Sequence, residues 1–96
     1  MARRRYLMAY DIADPVRLRR ICTLMEDHSE RLQYSVFLCD LSVAELAELE
    51  SAVVTVMDVG QDSVVELDLG PVSAAVAVRC LGRPRRLPSG GGPLIV

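Results

Sequence analysis

Asp11 closes the apolar run "YLMAY" at the point where an extended segment gives way to a turn. A carboxylate set against an apolar sheet is costly unless a cation, a backbone N–H or a guanidinium compensates it. One chemistry that uses such a group is divalent-metal binding. Mg²⁺ takes carboxylate oxygens and keeps several waters, and a bound Mg²⁺ both activates water and relieves charge on a phosphodiester. Capping a turn or pairing with an Arg would use the same carboxylate structurally. The residues alone leave both roles open.

The second group of candidates is cationic. Arg19 and Arg20 follow Leu18, and Arg31 opens the run "RLQYSVF". A planar guanidinium suits phosphate recognition, so all three are candidate nucleic-acid contacts. A solvated helix face pairing with Glu26 or Asp27 accounts for Arg19 and Arg20 equally well. Ser35 and Phe37 share the run with Arg31 and mark a candidate interface; Phe37 suits interface packing better than base stacking. His28, the only histidine, stands at a helix end, where it serves the last carbonyls. Cys22, Cys39 and Cys80 form neither a CxxC pair nor a zinc pattern, which reads as buried thiols in a reducing cytoplasm.

Charge is distributed in blocks. Residues 1–32 carry seven Arg against five acids, residues 33–78 carry eight acids and no base, and residues 79–96 carry four Arg and no acid. Every basic residue is Arg, and the sum is −2. An acidic balance is unhelpful for a bare nucleic-acid binder, so the acidic middle must face away from DNA or toward a basic partner. With 96 residues, about half of them apolar, one compact domain is expected. No apolar run reaches the roughly 20 residues of a membrane span, and "MARRRYLMAYD" is too soon charged for a signal peptide.

The elements that must position these residues follow from periodicity. Residues 5–12 alternate as a strand, with Tyr6, Met8 and Tyr10 on one face and Leu7, Ala9 and Asp11 on the other. Asp14 caps a helix whose first residue is Pro15 and whose apolar stripe is Leu18, Ile21, Cys22 and Met25. Residues 31–40 alternate as one strand. Leu32, Tyr34, Val36 and Leu38 suit a helix-covered core, while Arg31, Gln33, Ser35, Phe37 and Cys39 form a mixed face suited to another chain. Ser42 and Glu45 make a capping box for a helix over 43–58, with Leu46, Leu49, Val53 and Met57 in its stripe. Residues 62–70 and 74–82 read as a strand pair joined at "GP". The expected fold is α+β: a ferredoxin-like antiparallel sheet with two helices on one face, plus a short C-terminal strand from "LIV". Residues 1–82 form that domain, and residues 83–96 form a flexible linker and edge strand. The sheet face without helices must be hidden, and a homodimer hides it.

"YLMAYDIADPVRLRRI" followed by "ERLQYSVFLCDLS" resembles the CRISPR-associated protein 2 family, the small subunit of the spacer-acquisition machinery. "GQDSVVELDLG", "CLG" and the terminal "PLIV" fit it too, so the resemblance spans about residues 4–82 and the last four. It implies a ferredoxin-like fold, dimers packed sheet against sheet, and a C-terminal strand that joins the partner's sheet. Asp11 falls on the family's metal-associated carboxylate, with Mg²⁺ between or beside two copies. The resemblance implies either of two activities. One is a homodimeric adaptation subunit that grips duplex DNA through Arg and bridges integrase subunits. The other is a Mg²⁺-dependent endonuclease cleaving RNA or DNA through Asp11 at the dimer cleft. A small-molecule regulatory module on the same fold would want a Gly-rich loop, and "DIADP" has no Gly.

Overall fold

The computed structural model describes residues 2–74, 76–83 and 94–95. β1 (Arg4–Asp11) leads into α1 (Pro15–His28), then β2 (Glu30–Gln33), β3 (Val36–Leu41), α2 (Val43–Val56) and β4 (Ser63–Pro71). The four strands form one antiparallel sheet in the order β2-β3-β1-β4. Both helices pack on the same face, giving the ferredoxin-like α+β fold. No helix among the described residues is long and apolar enough to cross a membrane.

Local chemistry places the helices as expected. The Asp14 carboxylate accepts from the N–H groups of Val16 and Arg17, and Pro15 occupies the first turn. The Ser42 hydroxyl accepts from the Glu45 N–H, and the Glu45 carboxylate accepts from the Ser42 N–H, closing the capping box. His28 Nδ1 lies 3.0 Å from the Leu24 carbonyl oxygen at the end of α1.

The core lies between the sheet and the helices. Tyr6, Met8 and Tyr10 of β1 meet Ile21 and Met25 of α1, and Leu49 and Val53 of α2. Cross-strand pairing sets the rest of that face, because opposed residues point the same way. Tyr6 opposes Cys39 and Met8 opposes Phe37, so Phe37 and Cys39 also face the helices. The second face carries Leu7, Ala9, Val36 and Leu38, with Val65 and Leu67 of β4, which are 55% and 52% exposed.

Three expectations change. Residues 31–40 are two strands, because Tyr34 and Ser35 form a tight turn and Gln33 comes to oppose Val36. The face assignment is also reversed: Phe37 and Cys39, on the same side as Arg31, are core, and Val36 and Leu38 lie on the helix-free side. The fourth strand of the sheet therefore comes from this split rather than from a 62–82 hairpin. Second, β4 pairs with β1 and carries a bulge near its end, where the register shifts between Arg5 and Tyr6, next to Gly70 at φ 100°. Glycine adopts that φ without the Cβ penalty, and pairing resumes past the bulge at Arg5–Gly70 and Arg4–Pro71. Among the described residues of the expected strand over 74–82, only Arg79–Cys80 form a strand, β5. Third, β6 (Leu94–Ile95) pairs in parallel with β5 of the same chain. The expected linker, apart from Arg83, lies outside the described residues. All three cysteines are free, but only Cys39 is buried; Cys22 and Cys80 are partly exposed.

Candidate functional site at the end of the first strand

Asp11 is the last residue of β1 and opposes Ser63 of β4. Its parity puts it on the helix-free face, in line with Leu7 and Ala9. In the single chain it is exposed, so water solvates its charge and no internal partner is required.

The buried, compensated carboxylate expected of Asp11 belongs instead to Asp62. Its side chain has no exposed surface. Oδ1 accepts from the Ala13 N–H at 2.9 Å, and Oδ2 accepts from the Asp58 N–H at 2.8 Å. Arg17 completes the set, with Nε 2.8 Å from Oδ2 and Nη2 3.2 Å from Oδ1. The Arg17 guanidinium and these N–H groups hold the Asp62 carboxyl far below the usual carboxylate range. Ala13 lies two residues beyond Asp11, so Asp62 fixes the loop into which Asp11 leads. Sequence reading took Asp62 as the start of a strand. A buried carboxylate is visible only once the β1–α1 loop and the α2–β4 loop are seen side by side.

Arg19 and Arg20 are exposed on α1. Among the described residues the ion pairs are Arg3–Glu45, Arg4–Asp68, Arg5–Asp40 and Arg17–Asp62. Neither Glu26 nor Asp27 takes up Arg19 or Arg20, which leaves both guanidinium groups available to an external anion. They belong to the helical layer, and Asp11 belongs to the opposite sheet face.

Arg31 is turned inward rather than toward the helix-free face. Its guanidinium carbon lies 5.5 Å from the Tyr34 ring centre and 5.2 Å from that of Phe37, and an Nη contacts Cys22 Sγ. Its buried Nε has no hydrogen-bond partner. Arg31 thus covers the edge of the core by cation–π contact. Tyr10 sits in the same cluster, where burial pushes its hydroxyl up to about 12, and burial also raises the Cys22 thiol. Ser35 lies in the turn, where its carbonyl accepts from the Tyr10 N–H at 3.1 Å. Phe37 is 0% exposed and stacks with Tyr10 at 6.0 Å between ring centres. Its expected place at a dimer interface is corrected: every atom it could offer is used within its own chain.

Among the described residues no three His, Cys, Asp or Glu side chains gather to hold a metal. At the end of β1 the carboxylate left without an ion-pair partner among the described residues is Asp11. Its oxygens are ligands that Mg²⁺ accepts with waters completing the shell, so the donor chemistry fits. More than one protein ligand requires a second copy.

The family described as CRISPR associated protein Cas2 matches residues 4–73, which hold both β1 with Asp11 and the Asp62 network. The chain belongs to the Cas2 family. It is 38% identical over 79 residues to the CRISPR-associated endoribonuclease Cas2 1 of Rhodospirillum rubrum, covering 81% of this chain and 78% of that one. It is 37% identical over 82 residues to the CRISPR-associated endonuclease Cas2 2 of Thermus thermophilus, covering 85% and 88%. Among solved structures, hypothetical protein TT1823 from Thermus thermophilus superposes with a TM-score of 0.72 at 34% identity, covering 88% of this chain and 96% of that one. Streptococcus pyogenes Cas2 superposes with a TM-score of 0.65 at 31% identity, covering 69% and 86%. The family read from the two sequence motifs is therefore the right one, and with it the ferredoxin-like fold.

Proposed function

We propose that this Cas2 chain is a homodimeric subunit of cytoplasmic CRISPR spacer acquisition that binds duplex DNA and bridges integrase subunits. The observation that carries this reading is the helix-free sheet face, with Leu7, Ala9, Val65 and Leu67 uncovered and Asp11 at its margin. An apolar face of this kind is the surface a second copy covers. Arg19 and Arg20, unpaired on the opposite layer, supply phosphate contacts that carry no sequence preference.

A second reading, a Mg²⁺-dependent endonuclease acting on RNA or DNA, is favoured by the names of the relatives. In that reading Asp11 from each copy would hold the ion, which supplies an activated water and charge relief at the phosphate. The chain's own part would be positional: the Asp62 network holds the loop after Asp11 so that two carboxylates present one geometry.

The two readings separate on Asp11→Asn, assayed side by side for cleavage and for spacer integration. The scaffold reading expects integration and duplex binding to survive the change, and loss of integration overturns it. The nuclease reading expects cleavage to vanish, and retained cleavage overturns the metal role. Replacing Arg19 and Arg20 with Ala is expected to weaken duplex binding in either case.

A further inference from the structure

A cavity of about 180 Å³ lies between α1 and the turn that joins β2 to β3. Buried Tyr10 and half-buried Leu18 and Cys22 line it, and the exposed Tyr34, Arg19 and Glu26 border it. Tyr34 is 60% exposed. A single exposed tyrosine needs no explanation, but the setting of this one does. The Arg31 guanidinium lies over its ring at 5.5 Å and over the buried ring of Phe37 at 5.2 Å. The Tyr10 hydroxyl donates to the Tyr34 carbonyl at 3.3 Å, and the Tyr10 N–H donates to the Ser35 carbonyl at 3.1 Å. The ring is therefore backed on one face by a cation and tied through its backbone to β1, while most of its surface is left to solvent.

We propose that this pocket receives one unpaired nucleobase, stacked on Tyr34, with its N–H edge toward Glu26 and its phosphate toward Arg19. The inference rests on the reading of this chain as a nucleic-acid binder, and adds to phosphate contact a site that reads a base. Every base has a π-face, and single strands are held by stacking on aromatic side chains. A paired base has its edge and both faces occupied, so the ligand is a single-stranded or extruded nucleotide.

Arg19 and Glu26 stand seven residues apart on α1, so they share one side of the helix two turns, or about 10 Å, apart. Both border the cavity, and neither is in an ion pair among the described residues. The guanidinium suits a phosphate. A carboxylate accepts and does not donate, so the Glu26 end favours a base edge rich in N–H groups and repels a phosphate. The Cys22 thiol donates to Glu26 Oε1 at 3.3 Å, which fixes the carboxylate beside the cavity wall. Guanine, with N1–H and the N2 amino group side by side, matches the two carboxylate oxygens. Thymine offers one N–H between two carbonyls and matches them poorly. Arg19 and Thr23 also border a neighbouring cavity of about 350 Å³ that Arg20 lines, so the cationic rim continues along α1 for the next phosphate.

The test uses the full chain and short deoxyribose-phosphate strands that are abasic throughout, or abasic except for one central guanine or thymine. Binding is read by fluorescence anisotropy at fixed salt, with a blunt duplex measured in parallel. The guanine strand is expected to bind about tenfold more tightly than the abasic one. Tyr34→Ala is expected to erase that difference, and Tyr34→Phe to keep it. Glu26→Gln is expected to reduce the preference for guanine over thymine, and Arg19→Ala to weaken all three strands alike. A change that merely loosened the turn would weaken guanine and abasic strands equally, so their ratio isolates the base contact. Equal affinity of the two strands for wild type, or a difference that survives Tyr34→Ala, would overturn the proposal. The wild-type comparison needs no variant, so it decides the matter even if one folds poorly. Duplex binding without base dependence overturns the pocket and leaves the duplex reading standing; base-dependent binding without duplex binding does the reverse.

Discussion

Phe37→Ala separates a core role from an interface role for one side chain. Phe37 is 0% exposed, its ring lies 6.0 Å from that of Tyr10 with planes 21° apart, and the Arg31 guanidinium covers it at 5.2 Å. Truncation would leave a ring-sized void beneath β3 and remove both the stacking partner and the cation's second ring. Buried Phe→Ala changes cost about 3–5 kcal/mol. The lost aromatic and cation–π contacts place this one at about 4 kcal/mol. In a domain of this size each kcal/mol moves Tm by about 4–8 °C, so a fall of roughly 15–30 °C is expected. The assay is calorimetric or circular-dichroism melting at a fixed protomer concentration, since association itself raises apparent stability. Sedimentation at low temperature should show the folded fraction associating as wild type does. Phe37→Leu, which keeps most of the volume, should cost under about 1.5 kcal/mol and covers the case in which the alanine variant does not fold. A Tm within about 3 °C of wild type, together with a weakened dimer, would refute the core assignment and return Phe37 to an interface.

Two further outcomes test the sheet face and the buried carboxylate. Leu67→Asp adds a charge to the helix-free face at a half-exposed position, so the chain should stay folded by circular dichroism but run as a monomer in light scattering at micromolar concentration; an unchanged dimer mass would count against that face as the interface. Asp62→Asn should lower Tm and flatten acid unfolding. Because Arg17 depresses the native carboxyl below its ordinary 3.8, the stability it contributes is present above about pH 4 and is lost as pH falls further. An Asn variant with the wild-type acid limb would show that Asp62 is not the group responsible.

Much of the fold was legible because its signals are local. The Asp14–Pro15 start, the Ser42–Glu45 capping box and the alternation of Tyr6, Met8 and Tyr10 each depend on a few neighbouring residues, and each stands in the structure as read. The error over residues 31–40 has an equally specific cause. A two-residue turn normally announces itself with Gly, Asn or Asp, and Tyr34–Ser35 has none of them. Alternation continues through the turn without a visible break, and Arg31 still shares a face with Phe37. Phe37 and Arg31 went to the wrong side of the sheet for a separate reason: Arg31, Gln33 and Ser35 made their face look too polar for a core, whereas Arg31 lies over the Phe37 ring at the core's edge. Asp11 was read as a carboxylate in need of a partner, and its exposure in the single chain was not legible, since exposure depends on which strand lies beside it. The Asp62–Arg17 pair joins residues 45 positions apart, and nothing in a linear pattern marks it.

The opening "RRR" bears on how a polyanion would approach this molecule. Arg3, Arg4 and Arg5 reach three different elements, meeting Glu45 of α2 at 2.8 Å, Asp68 of β4 at 3.0 Å and Asp40 of β3 at 2.7 Å. The most basic stretch of the chain is thereby spent on the acidic middle block, and its field is cancelled close to the surface. Long-range electrostatic steering needs uncancelled charge, and it fades with ionic strength. Uncancelled charge remains on the α1 side, at Arg19 and Arg20, and at Arg79 and Arg83, which are exposed and outside the ion pairs. Encounter rates with a nucleic acid measured against salt would lose part of their slope when Arg19 and Arg20 are neutralised, and would keep it when Arg3 and Glu45 are removed together.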